Sequence, residues 1–288
     1  MQKIIFITGA SSGFGRDTAV TLSAAGHRVF AGMRDVNGRN KEVAEALRSK
    51  GIMPVALDVT CEATTQAAIQ TVLEKSGGRL DVVINNAGIA ATGVSESFTP
   101  EQLRELFEVN VFGIQRVLRA VQPTMRKQGD GLIINTGSIL GRVTFPFWGL
   151  YGASKFAVEA MTDSYRYELS QLGVDVVLVQ PSAYPTNMYA AMQQPVDAAR
   201  AISYGEIGAI PSKMFETFAG MFAAENAPNP HDVALAIAKL VATPKGQRPD
   251  RVVVGNAFGA NAINAAVAPL QRQVLAGLGL DMLASIKQ

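Results

Sequence analysis

Short apolar runs rich in β-branched residues recur along the chain, and between them apolar positions fall at helical spacing. Lys3 to Ile7, His27 to Gly32, Ile52 to Leu57, Asp81 to Ile84, Leu132 to Asn135, Val174 to Gln180 and Arg251 to Gly255 read as strands. Arg16 to Ala25, Asn40 to Lys50, Glu62 to Ser76, Lys155 to Leu172 and His231 to Val241 read as helices, and Gly77-Gly78 stops the third of them. Two regions break the alternation. Pro100 opens a helical segment that runs past Asn110 to about Arg126, with Pro123 expected to break or kink it. Ser182 to about Asn229 carries Pro185, Pro195, Pro211 and Pro228 and has few periodic stretches. A segment of that length before a terminal helix is a lid or an added helical pair. Its Met188, Tyr189, Met192, Met214, Phe215, Phe218, Met221 and Phe222 form either an apolar pocket wall or ordinary core.

The 288 residues suffice for a sizeable core, and no linker or charge block divides them, so residues 1–288 read as one domain with 182–229 as its lid. A net charge of +2 without clustered basic residues argues against nucleic acid or an anionic membrane as a partner. Cys61 is the only cysteine, which suits a reducing compartment. No apolar stretch approaches the ~20 residues of a spanning helix, and Ile4 to Ile7 is too short for a signal segment. A soluble cytoplasmic protein is expected. His27 and His231 have no cluster of Cys, His or carboxylates beside them, so no metal site is expected.

The first strand ends in Thr8-Gly9-Ala10-Ser11-Ser12-Gly13-Phe14-Gly15 and a helix follows, an arrangement that points helix N–H groups at a phosphate. Gly9 permits the tight turn, Gly13 lets a pyrophosphate approach the backbone, and Gly15 lets helix and strand pack closely. The second strand closes a βαβ unit and ends at Met33-Arg34-Asp35. Arg34 suits a bidentate pair with a 2′-phosphate and favours NADP(H); the acid beside it, Asp35, keeps NAD(H) open. Asp58, with Val59 next to it, either accepts from an adenine amino group or caps the following helix. Asn85-Asn86-Ala87-Gly88 suits a turn that contacts ribose or braces the sheet. Asn110, among Val109, Val111 and Phe112, is a structural amide or a helix distortion that holds a water near the site.

The fifth strand delivers Ser138, and Tyr151-Gly152-Ala153-Ser154-Lys155 follows. Residues four apart share a helix face, so Tyr151 and Lys155 project together. A free phenol titrates near ~10. An ammonium beside it favours the phenolate, which would tune Tyr151 as a general acid/base. Ser138 would hold the reacting oxygen.

In series, Thr8-Gly9-x-x-x-Gly13-x-Gly15, Asn85-Asn86-Ala87-Gly88, Asn110, Ser138 and Tyr151-x-x-x-Lys155 resemble the short-chain dehydrogenase/reductase family over roughly residues 3–255. The resemblance implies a single doubly wound α/β Rossmann-type domain, with about seven parallel strands and helices on both faces. It implies Tyr151 as acid/base, Lys155 on the nicotinamide ribose, Ser138 orienting a carbonyl and Asn110 supporting a proton path. Cofactor contacts are implied at Gly9, Ser11, Ser12, Gly13, Phe14, Gly15, Arg34, Asp58, Val59, Asn85, Ala87, Gly88, Pro181 and Thr186. The glycine turn and Met33-Arg34-Asp35 look like the hydroxysteroid and retinol dehydrogenase branch, which mostly uses NADP(H). Pro181-Ser182 departs from the family's Pro-Gly, and Ser is the costlier residue wherever φ must be positive.

The resemblance implies a carbonyl reductase or alcohol dehydrogenase that interconverts a ketone or aldehyde and an alcohol. The apolar 182–229 segment adds a bulky apolar substrate, and family members suggest a homodimer or homotetramer. The alternatives are a non-catalytic NADP(H)-binding sensor or scaffold, and an epimerase or dehydratase on the same fold.

Overall fold

The structure, a computed structural model, describes residues 1–287. In chain order its regular elements are β1 (Ile4–Thr8), α1 (Gly13–Ala24), β2 (Arg28–Met33), α2 (Lys41–Arg48), β3 (Met53–Ala56), α3 (Glu62–Ser76) and β4 (Val82–Asn85). Then come α4 (Pro100–Phe107), α5 (Gly113–Gln128), β5 (Gly131–Thr136), α6 (Gly149–Ser170) and β6 (Val174–Pro181). The chain closes with α7 (Asn187–Ala190), α8 (Ala198–Ser203), α9 (Ile210–Ala223), α10 (His231–Ala242), β7 (Arg251–Val254) and α11 (Ala260–Gly277). The strands form one sheet in the order β3-β2-β1-β4-β5-β6-β7. All six pairings are parallel.

Each strand is apolar on both faces because helices cover both, and the alternation of side chains sorts them. On β1, Ile5 and Ile7 enter one core with residues of α1, α2 and α10, among them Leu22, Leu47 and Ile237. Phe6 points the other way, to α3, α5 and α6 through Val72, Val117 and Val158. The same split recurs on β5, where Leu132 and Ile134 join the first core and Ile133 the second. Strand order reverses between β1 and β4, and the crevice outside the carboxyl ends at such a point is where open α/β sheets take ligands.

The segment from Pro100 departs from its expected form. Thr99 opens α4 with a reciprocal capping box to Gln102, but the helix widens into a π turn over Glu108–Phe112, with Asn110 inside it. Pro123 lies within α5 and does not end it; Gly129, at φ +63°, does.

Residues 182–229, the segment expected to be a lid or an added helical pair, hold α7, α8 and α9. The middle of that segment is strapped to the loop after β4 and to α4: Gln193 bridges Ala91, the Gln102 amide on α4 donates to the Gln194 carbonyl at 2.8 Å, and Arg200 meets Glu96 at 2.8 Å. No helix among the described residues is long and apolar enough to cross a membrane. Among the described residues no group of three His, Cys, Asp or Glu side chains is placed to hold a metal ion.

Candidate active site

The carboxyl ends of the central strands open into one cleft of about 680 Å³ that runs from the β1–α1 turn to the lid. The three glycines of that turn do separate work. Gly9 has φ +66°, and a Cβ there would lie 2.7 Å from the Ala87 Cα. A Cβ on Gly15 would lie 2.5 Å from the Gly9 carbonyl oxygen and 2.4 Å from the Asn86 Nδ2. Gly15 therefore packs the turn and is not among the residues that line the cleft. Gly13 does line it: φ is +52° and the nearest neighbour of an added Cβ is Thr186 at 3.8 Å. Ser12, the residue before α1, makes no side-chain cap, so the leading N–H groups of the helix stay free for an anion. A glycine-lined opening before unspent helix donors fits a pyrophosphate. Ser11, Ser12 and Phe14 line the same wall.

Where β2 and β3 end, Arg34, Asp58 and Val59 line the cleft. Asp58 accepts from the Thr60 N–H at 3.0 Å and the Thr60 hydroxyl at 2.7 Å. Burial works to raise its carboxyl, but those bonds and the charges of Arg34 and Arg116 hold it below the usual range. It does not cap α3, whose N-cap position is held by Cys61. Past β4, Ala87 and Gly88 line the cleft but Asn85 does not. The Asn85 amide is buried and donates to the Asn135 Oδ1 at 2.9 Å, bracing β4 against β5. Its neighbour Asn86 takes the place assigned to it, lining the cleft while its own amide ties the Thr8 and Gly9 carbonyls at 3.0 and 3.1 Å. Strand alternation explains the difference between the two, since adjacent residues at a strand end point to opposite sides.

Ser138 leaves β5 with its hydroxyl oxygen accepting the Leu140 N–H at 3.1 Å, which leaves its own proton to donate toward the Tyr151 oxygen or a substrate oxygen beside it. Tyr151 and Lys155 lie on the first two turns of α6, both buried, and the Lys155 Nζ stands 5.6 Å from the Tyr151 ring centre. The ammonium donates to the Thr136 carbonyl at 3.0 Å and keeps two donors for the cleft. Burial pushes the Tyr151 phenol up to about 12 against the opposing effect of its hydrogen bond with Ser138. Burial also lowers the Lys155 ammonium to about 8. The expected drop in the phenol is thus reversed, because both groups pay for leaving water. Asn110 does not line the cleft. Its carbonyl accepts the Ile89 N–H and its amide donates to the Ile89 carbonyl, each at 2.9 Å, and to the Ser154 hydroxyl at 3.0 Å. It is a positioning residue that ties the loop after β4 to α6.

Pro181 and Thr186 line the lid side. Ser182 continues β6 through a bond from its N–H to the Val254 carbonyl at 2.9 Å and is not among the positive-φ residues, so serine there costs nothing. Met188, Tyr189, Met192 and Phe218 face the cleft. Met214 packs behind them, and Phe222 meets the Tyr189 ring at 4.8 Å. Phe215 and Met221 point outward. The wall is completed by Trp148, 6.0 Å from the Tyr151 ring, with Phe145 and Leu140. Sequence reasoning passed over these three, although Trp148 is the chain's only tryptophan and directly precedes the Tyr151 helix.

A short chain dehydrogenase family model matches residues 3–197. The 3-ketodihydrosphingosine reductase of Bacteroides thetaiotaomicron is 38% identical over 184 residues, 64% of this chain and 65% of that protein. The bovine (Bos taurus) 17-beta-hydroxysteroid dehydrogenase type 6 is 40% identical over 192 residues, 65% of this chain and 58% of its own length. The matched stretch thus falls short of two thirds of either relative. Among solved structures, a short-chain dehydrogenase from Streptomyces avermitilis superposes with a TM-score of 0.76 at 28% identity, covering 97% of both chains. With its parallel sheet, glycine turn and Ser-Tyr-Lys group, this chain belongs to the short-chain dehydrogenase family.

Proposed function

We propose that the protein is an NADP(H)-dependent carbonyl reductase or alcohol dehydrogenase acting on a bulky, apolar ketone or aldehyde. The observation that carries this is the meeting of Ser138, Tyr151 and Lys155 at the floor of one cleft whose lid side is aromatic and methionine-rich. When bound, the nicotinamide coenzyme supplies or takes up a hydride. With substrate bound, the Ser138 hydroxyl turns its proton from Tyr151 to the carbonyl oxygen and stabilises the negative charge that develops there. Tyr151, protonated far above neutral pH, gives its proton to that oxygen. That protonation state is the one reduction requires. Lys155 holds the coenzyme's ribose hydroxyls with the donors that Thr136 leaves free. Trp148, Tyr189 and Phe218 exclude water from the reacting carbon.

Arg34, which lines the cleft where β2 ends, supports a 2′-phosphate and hence NADP(H) over NAD(H). The free thiol of Cys61 supports a reducing, cytoplasmic setting, and a homodimer or homotetramer is the assembly to look for by light scattering. Steady-state reduction of a series of apolar ketones by wild type and Tyr151→Phe tests the reading. Turnover should fall by at least ~100-fold in the variant; near-normal turnover removes Tyr151 as the acid.

A further inference from the structure

Arg34 and Asp35 stand side by side where β2 ends, one suited to a 2′-phosphate and the other to a ribose hydroxyl. The backbone separates their roles. Asp35 has φ +48°, a left-handed conformation that few residues other than glycine, asparagine and aspartate enter readily. In that conformation its carboxylate turns back on its own loop, and Oδ2 accepts the Arg39 N–H at 2.9 Å. The Asp35 carbonyl accepts the Gly38 and Asn40 N–H groups, each at 3.2 Å. A Cβ on Gly38 would lie 2.3 Å from the Asp35 Oδ1, so the carboxylate rests against the bare backbone of that glycine. Asn40, at the start of α2, gives its side-chain amide to the Arg34 carbonyl at 2.6 Å instead of capping the helix. The result is a closed loop from which Arg34, Arg39 and Asn40 line the cleft and Asp35 does not.

We propose that Asp35 is a positioning residue which, folded into its own turn, sets Arg34 and Arg39 as a two-guanidinium clamp for the 2′-phosphate of the dinucleotide. The inference rests on the coenzyme assignment above and adds Arg39 and the clasp to it. Two placements of Asp35 make opposite predictions. A carboxylate facing the ligand repels the phosphate, and its removal tightens binding. A carboxylate spent on the loop orders the two arginines, and its removal costs affinity because they must then be ordered by the ligand.

Calorimetric titration of the full chain with adenosine 2′,5′-bisphosphate, and separately with ADP, reads the clamp without any turnover. Arg39→Ala should weaken the bisphosphate about tenfold while changing ADP less than about twofold. Asp35→Ala should weaken the bisphosphate by about three- to tenfold. Asp35→Asn keeps an oxygen acceptor and tolerates positive φ, so it should bind as wild type does or slightly tighter. Both positions are exposed, and thermal melts confirm that the three variants fold. Unchanged or tighter bisphosphate binding in Asp35→Ala overturns the clasp, and unchanged binding in Arg39→Ala overturns the clamp. A wild-type chain that binds ADP as tightly as the bisphosphate overturns the coenzyme assignment, and the clamp falls with it.

Discussion

Lys155→Met exchanges a buried ammonium for an apolar chain of similar length, and the sign of its effect on stability depends on pH. Burial takes the Lys155 ammonium from its ordinary 10.5 down to about 8. Each unit corresponds to about 1.4 kcal/mol, so below pH 8 the folded state carries a penalty of roughly 3 kcal/mol for holding the charge. The variant escapes that penalty but leaves the Thr136 carbonyl without its 3.0 Å donor, at a cost of about 1–2 kcal/mol. At pH 7 the variant should therefore be about 1–2 kcal/mol more stable than wild type. As pH rises from 8 towards 10.5 the unfolded chain keeps a proton that the folded chain has released, and wild type gains stability. Tyr151, raised to about 12, holds its proton across this window and takes stability away only above its unfolded value near 10. Burial also lowers the Lys3 ammonium, but that contribution is common to both proteins and cancels in their difference.

Urea unfolding of both proteins at pH 7 and pH 10 measures that difference directly. The advantage of Lys155→Met should shrink by about 2–3 kcal/mol between the two pH values and reach zero or change sign. A difference that stays constant with pH would show that the ammonium pays no burial penalty. A variant less stable at pH 7 than at pH 10, relative to wild type, would reverse the sign and refute the reasoning outright. Any stability gained should come with lost turnover, since the same change strips the cleft of its ribose donors.

Gly15→Ala runs against helix propensity. Alanine is the better helix former by about 1 kcal/mol, but its Cβ would fall 2.5 Å from a backbone carbonyl and 2.4 Å from the Asn86 amide. Overpacking costs about 1–3 kcal/mol and the two Asn86 bonds to Thr8 and Gly9 are lost with it, so thermal or urea unfolding should show net destabilisation; an equal or more stable variant would mean the turn yields. Asn110→Ala leaves the Ile89 N–H and carbonyl without their side-chain partners in a buried setting. It should cost about 2–4 kcal/mol, and an unfolding free energy within about 0.5 kcal/mol of wild type would show that the π turn does not depend on that amide.

The strands were legible because residues buried on both faces form unbroken apolar runs, and the glycine turn because each glycine has its own steric reason. Asn85 and Asn86 were interchangeable on paper; only the register of β4 decides which amide faces the cleft and which braces Asn135. Pro123 carried a local rule that tertiary packing overrode, since α5 keeps Val117, Val121 and Met125 in the core on either side of it. The aromatic wall was half legible. Helical spacing shows which residues share a face, as Met214, Phe218 and Phe222 do, but not which face meets the site. Trp148 and Phe145 sat in a loop, where periodicity gives no signal at all.

The Tyr151–Lys155 pair shows how far helical spacing carries a chemical argument. Spacing places the two side chains together, and the ammonium does stand 5.6 Å from the ring. Charge alone would then draw the phenol down, yet both groups are nearly removed from water, and the cost falls on whichever form is charged. A neutral phenol and a weakened ammonium are the consequence. On the proposed mechanism this matters for direction: a phenol that keeps its proton serves reduction at once, whereas alcohol oxidation first requires that the proton be removed. A bound positively charged nicotinamide would add a second cation beside the phenol and favour its ionisation. The acid form is thus intrinsic to the fold, while the base form depends on the oxidised coenzyme. The pH dependence of oxidation should accordingly be steeper than that of reduction between pH 7 and 9, and parallel profiles would separate Tyr151 from the proton transfer.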